Sequence, residues 1–185
     1  ANVPKDKDET FALGAAGSRK FVCGTSGEYY FVVKIGVWEG KAMDVSIDEL
    51  SLTETDIVPI SAGGVVTGGN MEDGSKWTVS NINATDPTAA TTWNYTGDSP
   101  VFGKNGCVHI NGKSKGNTFQ WFAYQKVVLE QGKTYKFDAA FKDLTTGIYQ
   151  AWIEIYLRSV EYPAGEDVSN TNGMIQWIGV WGGGA

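Results

Sequence analysis

The chain carries one histidine, two cysteines and five prolines among its 185 residues. The single His109 lies in the apolar run Cys107-Val108-His109-Ile110 and belongs to no recognisable motif, so Ser-His-Asp chemistry has no support. Neither Cys23 nor Cys107 stands in a metal-type spacing, which argues against a zinc site or a Cys–His nucleophile; the two read as buried thiols ahead of a disulfide. Basic residues are also outnumbered: 15 Lys and Arg against 21 Asp and Glu give a net charge of −6 and a pI near 4.8. No basic stripe remains to neutralise phosphates, which excludes nucleic acid as a partner. No run of about 18 apolar residues could insert into a membrane. No basic-then-apolar leader opens the chain, which therefore reads as a mature or excised piece. Helical periodicity is missing as well, because no window keeps apolar residues at i, i+3, i+4 and i+7 over three turns.

Glycine and aromatic residues are abundant: 24 Gly, seven Trp, eight Tyr and eight Phe. That composition suits many short strands joined by turns, hence an all-β chain, and 185 residues suffice for one well-cored domain. Strands are expected at 20–23, 29–38, 44–52, 77–82, 91–96, 106–111, 118–129, 134–142, 149–158 and 174–181. Residues 1–10 are polar and charged and read as a mobile arm or loop. The stretch 57–69, with Pro59 and paired glycines, is the best linker candidate. Glu130-Gln131-Gly132-Lys133 carries a hairpin signal between two expected strands.

The strand at 149–158 is the most informative. Tyr149, Ala151, Ile153, Ile155 and Leu157 alternate with Gln150, Trp152, Glu154, Tyr156 and Arg158, so one apolar face opposes a face of rings and hydrogen-bonding groups. Rings cover the C–H faces of pyranoses while amide, carboxylate and guanidinium groups take hydroxyls, which makes this a candidate glycan-binding face. The opposing interpretation is that Trp152 and Tyr156 sit under a covering loop. By the same alternation Gln120, Phe122, Tyr124 and Lys126 form a second aromatic and polar face, opposite Trp121, Val127 and Leu129. Phe31, Val33 and Ile35 share one face of their strand, and Tyr135, Phe137, Ala139 and Phe141 form the core face of theirs. Trp77, Trp93 and Trp121 read as core.

Three segments carry a resemblance. Asn70-Met71-Glu72-Asp73-Gly74…Trp77 resembles the opening strand of carbohydrate-binding modules of the family 4/9 and 22 type. Gln125…Val127…Leu129…Gly132-Lys133-Thr134-Tyr135 resembles their middle hairpin, and Val45-Ser46-Ile47-Asp48-Glu49-Leu50-Ser51-Leu52 their last strand. Phe141-Lys142-Asp143-Leu144-Thr145 with Trp152-Ile153-Glu154-Ile155-Tyr156 looks most like modules within Bacteroidetes xylanases. The resemblance implies a jelly-roll β-sandwich of the galactose-binding-like kind. Here, though, the closing signature precedes the opening one. Residues 1–56 would supply closing strands, 57–69 a linker, and 70–185 the opening and middle strands of one permuted domain. A cut across two tandem repeats is the competing arrangement, and the repeated Ile-Gly-Val-Trp at 35–38 and 178–181 keeps it open.

What the resemblance implies for function is a non-catalytic module of a secreted or cell-surface bacterial protein. It would bind β-linked plant polysaccharide, xylan first and β-glucan second, and target an attached glycoside hydrolase. The carbohydrate-binding candidates are Tyr124, Gln150, Trp152, Glu154, Tyr156, Trp177, Trp181 and Trp38, with Gln120 and Lys34 nearby. A structural calcium is expected on Glu72 and Asp48, whose hard oxygens suit it. Two other classes compete. A glycanase would need a second carboxylate about 5 to 9.5 Å from Glu154, for which Asp138 and Glu39 are the candidates. A structural repeat of a surface adhesin or stalk would have no glycan site.

Overall fold

The computed structural model describes residues 16–37, 42–54, 64–82, 90–96, 106–113, 118–143, 151–161 and 174–178. Among them are ten strands and, besides these, one 3-10 turn at Gly74–Lys76. The strands are β1 (Ala16–Val22), β2 (Gly27–Val37), β3 (Ala42–Glu54), β4 (Thr78–Ile82), β5 (Ala90–Tyr95), β6 (Cys107–Lys113), β7 (Phe119–Leu129), β8 (Thr134–Asp143), β9 (Ala151–Arg158) and β10 (Met174–Ile178). They form two five-stranded sheets, ordered β1-β8-β3-β6-β5 and β10-β9-β2-β7-β4, with antiparallel strand pairing throughout. The protein is an all-β sandwich.

Period-two patterning explains the packing. Phe31, Val33, Ile35 and Val37 of β2, Trp121, Ala123, Val127 and Leu129 of β7, and Ile153, Ile155 and Leu157 of β9 line the inner face of the second sheet. Opposite them stand Met43, Val45, Ile47, Leu50 and Leu52 of β3, Val108 and Ile110 of β6, and Tyr135, Phe137 and Ala139 of β8. Trp121 donates from Nε1 to Thr91 Oγ1 at 2.9 Å, joining β7 to β5 across the sandwich. Trp77 and Trp121 are buried in this core as expected, and half-buried Trp93 packs against its edge. Cys23 and Cys107 are buried thiols with no disulfide between them.

The segment Glu130-Gln131-Gly132-Lys133 differs from expectation. It is a tight turn, with Gly132 at φ 81° and Lys133 N donating to Glu130 O at 3.3 Å, yet β7 and β8 belong to different sheets. It is an arch, not a hairpin. Both strands carry large apolar faces, and an arch sets those faces against each other across the core, whereas a hairpin would lay them side by side. The arch is pinned to the one joining β1 and β2: Gly132 N donates to Cys23 O at 2.8 Å, Cys23 N to Lys133 O at 2.9 Å, and Gln131 N to Ser26 Oγ at 2.7 Å.

Of the expected linker, residues 57–63 lie outside the described residues, but 64–69 is packed structure. Val66 is buried, Val65 N donates to Leu52 O at 2.8 Å, and Leu50 N donates to Gly69 O at 2.7 Å. Gln125 holds this segment. Its Oε1 accepts from Thr67 N at 2.9 Å and Thr67 Oγ1 at 3.1 Å, while its Nε2 donates to Thr67 O at 2.9 Å. Residues on both sides of 55–63 thus share one core.

Candidate functional site

The outer face of the second sheet gathers the side chains that the alternation had singled out. Strand register sets them in cross-strand rows: Trp152, Gly36, Gln120 and Ile82; then Glu154, Lys34, Phe122 and Ser80; then Tyr156, Val32, Tyr124 and Thr78; and last Arg158, Tyr30 and Lys126. Trp177 on β10 stands in register with Glu154. Neighbouring strands lie about 4.8 Å apart, so each row is a continuous strip of side chains.

The middle of this face is closed. Val32, Phe122 and Tyr156 are fully buried, and with Ile82, Tyr124 and half-buried Tyr30 they form a second apolar cluster outside the main core. Within it lies a charged knot. Lys34 Nζ contacts Glu154 Oε2 at 2.6 Å, Tyr156 OH donates to the same oxygen at 2.8 Å, and both charged side chains are only 5% exposed. The Lys34 ammonium also stands 6.0 Å from the Tyr156 ring centroid. Such a pair persists because each charge answers the other; either one alone in that place would be costly.

The periphery is more open. Trp152, Tyr30 and Arg158 are half-buried and Lys126 is exposed. The Tyr30 and Tyr124 rings meet edge to face, with centroids 6.2 Å apart, and Lys126 Nζ stands 5.8 Å from the Tyr30 centroid while contacting Glu28 Oε2 at 3.2 Å. Burial, then the charge of Glu161, pushes the Tyr124 phenol above its ordinary value. The Glu28 carboxylate raises the Lys126 ammonium, first through their hydrogen bond.

The expected site residues are distributed as follows. Trp152, Glu154 and Tyr156 share the outer face with Tyr124, joined by Lys34 and Gln120; Tyr156 is fully covered and turned to Glu154. Trp177 has its backbone in the adjoining strand, and Gln150, Trp181 and Trp38 lie outside the described residues. Asp138, a candidate second acid for a glycanase, is on β8 in the other sheet. It alternates with core residues Phe137 and Ala139 and contacts Lys136 Nζ at 3.0 Å, so it stands on the opposite side of the sandwich from Glu154. Glu39 lies outside the described residues.

Asp48, one of the two expected calcium ligands, is 3% exposed and sits where β3 bulges against β8. Its Oδ1 accepts from Glu49 N at 2.7 Å, and Glu49 has the unusual φ of 54°. Glu72 is half-buried and follows Met71, another positive-φ residue at 55°. Backbone bonding of Leu50 to Gly69 sets the two segments side by side. Among the described residues no three His, Cys, Asp or Glu side chains converge as a metal group. Asp48 and Glu72 each carry carboxylate oxygens, the hard ligand type that calcium takes.

Contacts that the sequence did not disclose include the clamp of Gln125 on Thr67 and the pair Asp44–His109. His109 Nε2 lies 2.6 Å from Asp44 Oδ1 and its ring stacks on Tyr95 at 4.3 Å, tying β3, β6 and β5 together. Gln125 was visible in principle as the one polar residue in the core-facing series Trp121, Ala123, Gln125, Val127, Leu129. Comparison with protein-family models, with curated proteins and with solved structures finds no match to this chain.

Proposed function

We propose that this is a non-catalytic polysaccharide-binding module whose ligand lies on the outer face of the second sheet. The observation that carries this reading is the row pattern of that face: rings of Trp152, Tyr30 and Tyr124 interleaved with Lys34, Glu154, Arg158 and Lys126 on three adjacent strands. Side chains that keep solvent access make the contacts. Trp152 is the principal stacking ring and half-buried Tyr30, backed by the buried Tyr124 ring, forms a second platform, while Tyr156 and Lys34 hold Glu154 in place. The ligand class is β-linked plant polysaccharide, xylan before β-glucan, and the module concentrates an attached glycoside hydrolase on it. The fold is a permuted jelly roll, with a structural calcium on Asp48, Glu72 and nearby carbonyls clamping β3 to the segment before β4. The protein works outside the cell or on its surface.

The test is affinity electrophoresis in native gels cast with arabinoxylan, β-glucan or glucomannan. Trp152→Ala is expected to weaken retardation at least about tenfold, equivalent to about 1.4 kcal/mol, with its melting transition still cooperative. Unchanged retardation in both Trp152→Ala and Tyr124→Ala would exclude this face as the site. Chelator is expected to lower the melting temperature; no shift would remove the calcium.

One observation favours a second reading. The full burial of Val32, Phe122 and Tyr156 is what a structural sandwich repeat of an adhesin or stalk would have, with its outer face closed. Self-association of the chain without retardation by any polymer would favour it.

A further inference from the structure

Gly36 stands near the end of β2, hydrogen-bonded into the sheet between β7 and β9, with Gln120 opposite it on one side and Trp152 on the other. Its backbone does not ask for glycine: the described glycines with positive φ are Gly64, Gly68 and Gly132. Glycine inside a strand is destabilising relative to alanine, so a reason must lie in the space above it. That space is filled by Trp152. A Cβ built on Gly36 would lie 2.7 Å from the indole Cη2 and nearer still to Cε2 and Cζ2, far inside ordinary contact. The six-membered half of the ring therefore sits where a side chain on β2 would begin. Val32 and Lys34, the preceding residues on this face of β2, fill their own places. Trp152 is half-buried, so part of the ring is taken up by this seat and part keeps solvent access.

We propose that Gly36 is a positioning residue for the ligand face: by lacking a side chain it lets the Trp152 indole lean across β2 and present a flat apolar platform to a pyranose. The inference rests on the polysaccharide-binding reading. It adds that the platform is set by the neighbouring strand, and that its ligand is a neutral glycan able to offer the C–H face of a sugar ring. An aromatic ring can also cover a strand glycine merely to complete the sheet surface, and only a binding readout separates the two roles.

The experiment pairs native gels cast with arabinoxylan with nuclear magnetic resonance of the whole chain titrated with xylan-derived oligosaccharides. In the wild type the Gly36 α-protons should be displaced by the indole ring current, and that displacement should vanish in Trp152→Ala. Gly36→Ala should weaken retardation at least about tenfold while retaining the tryptophan. Gly36→Ala/Trp152→Ala should bind no worse than Trp152→Ala alone, because both changes act through one ring. Full retardation of folded Gly36→Ala, with Trp152→Ala impaired, overturns the positioning role and leaves the binding reading standing. A wild type retarded by no polymer, or Trp152→Ala as well retarded as wild type, removes the reading at this ring and the positioning role with it. Should Gly36→Ala not fold, the wild-type titration decides. Oligosaccharide that shifts the Gly36 α-protons and the Trp152 Nε1–H together supports the proposal; shifts confined to other residues overturn it.

Discussion

Lys34 and Glu154 form an ion pair on the outer face of a sheet, among Val32, Phe122 and Tyr156, where an apolar pair would also pack. Removing one partner strands the other charge. Glu154→Ala is therefore expected to cost about 3–5 kcal/mol of stability, whereas Lys34→Met/Glu154→Leu should lie near wild type. Urea titration of the three proteins checks this, and a single variant as stable as the double would contradict it. The alternation over 149–158 was enough to say which residues share a face with Glu154. It could not say how deep they lie. Tyr156 could be read as a ligand-facing ring or as one beneath a covering loop, and Phe122 only as part of an aromatic and polar face, because a period of two reports direction alone and burial on an outer face depends on chain segments distant in sequence. The Lys34–Glu154 contact was hidden for a related reason, since it needs the β2–β9 register, which no local pattern encodes.

At the level of elements, strand positions were nearly all legible, because each strand buries one face and so must alternate. Connections were not. The Glu130–Lys133 turn has hairpin chemistry, with Gly132 in the left-handed region, but turn residues specify a reversal and not which sheet receives the next strand. The stretch 64–69 looked like linker because its glycines and small residues show no period, yet Gln125 binds its backbone as a neighbouring strand would. Gln125→Leu should leave the Thr67 amide and carbonyl without these partners, at a cost of about 1–3 kcal/mol. Amide exchange at Thr67 should accelerate more than at the core amides of β7. Equal protection of Thr67 in variant and wild type would show that the clamp is not what holds this segment.

The described residues form one sandwich whose core draws on residues from Phe21 to Leu157. Its all-β character and much of its core could be read from composition and periodicity, whereas the interleaving of early and late strands in both sheets could not. Burial pushes the phenols of Tyr124, Tyr135 and Tyr29 upward. The folded chain then keeps protons that an unfolded chain releases near pH 10. This contribution is complete below the ordinary tyrosine range and is lost as pH rises through the shifted values. The urea midpoint should accordingly fall between pH 9 and pH 11, and fall less in Tyr135→Phe; a midpoint constant across that range would contradict it. The most direct test of the binding function is the wild-type chain in native gels containing soluble arabinoxylan, β-glucan or glucomannan beside a polymer-free gel. Retardation in arabinoxylan first and β-glucan second, weakened by Trp152→Ala, is the expected result. A folded wild type that migrates identically in every gel would contradict it and transfer the outer face of the second sheet to a structural role.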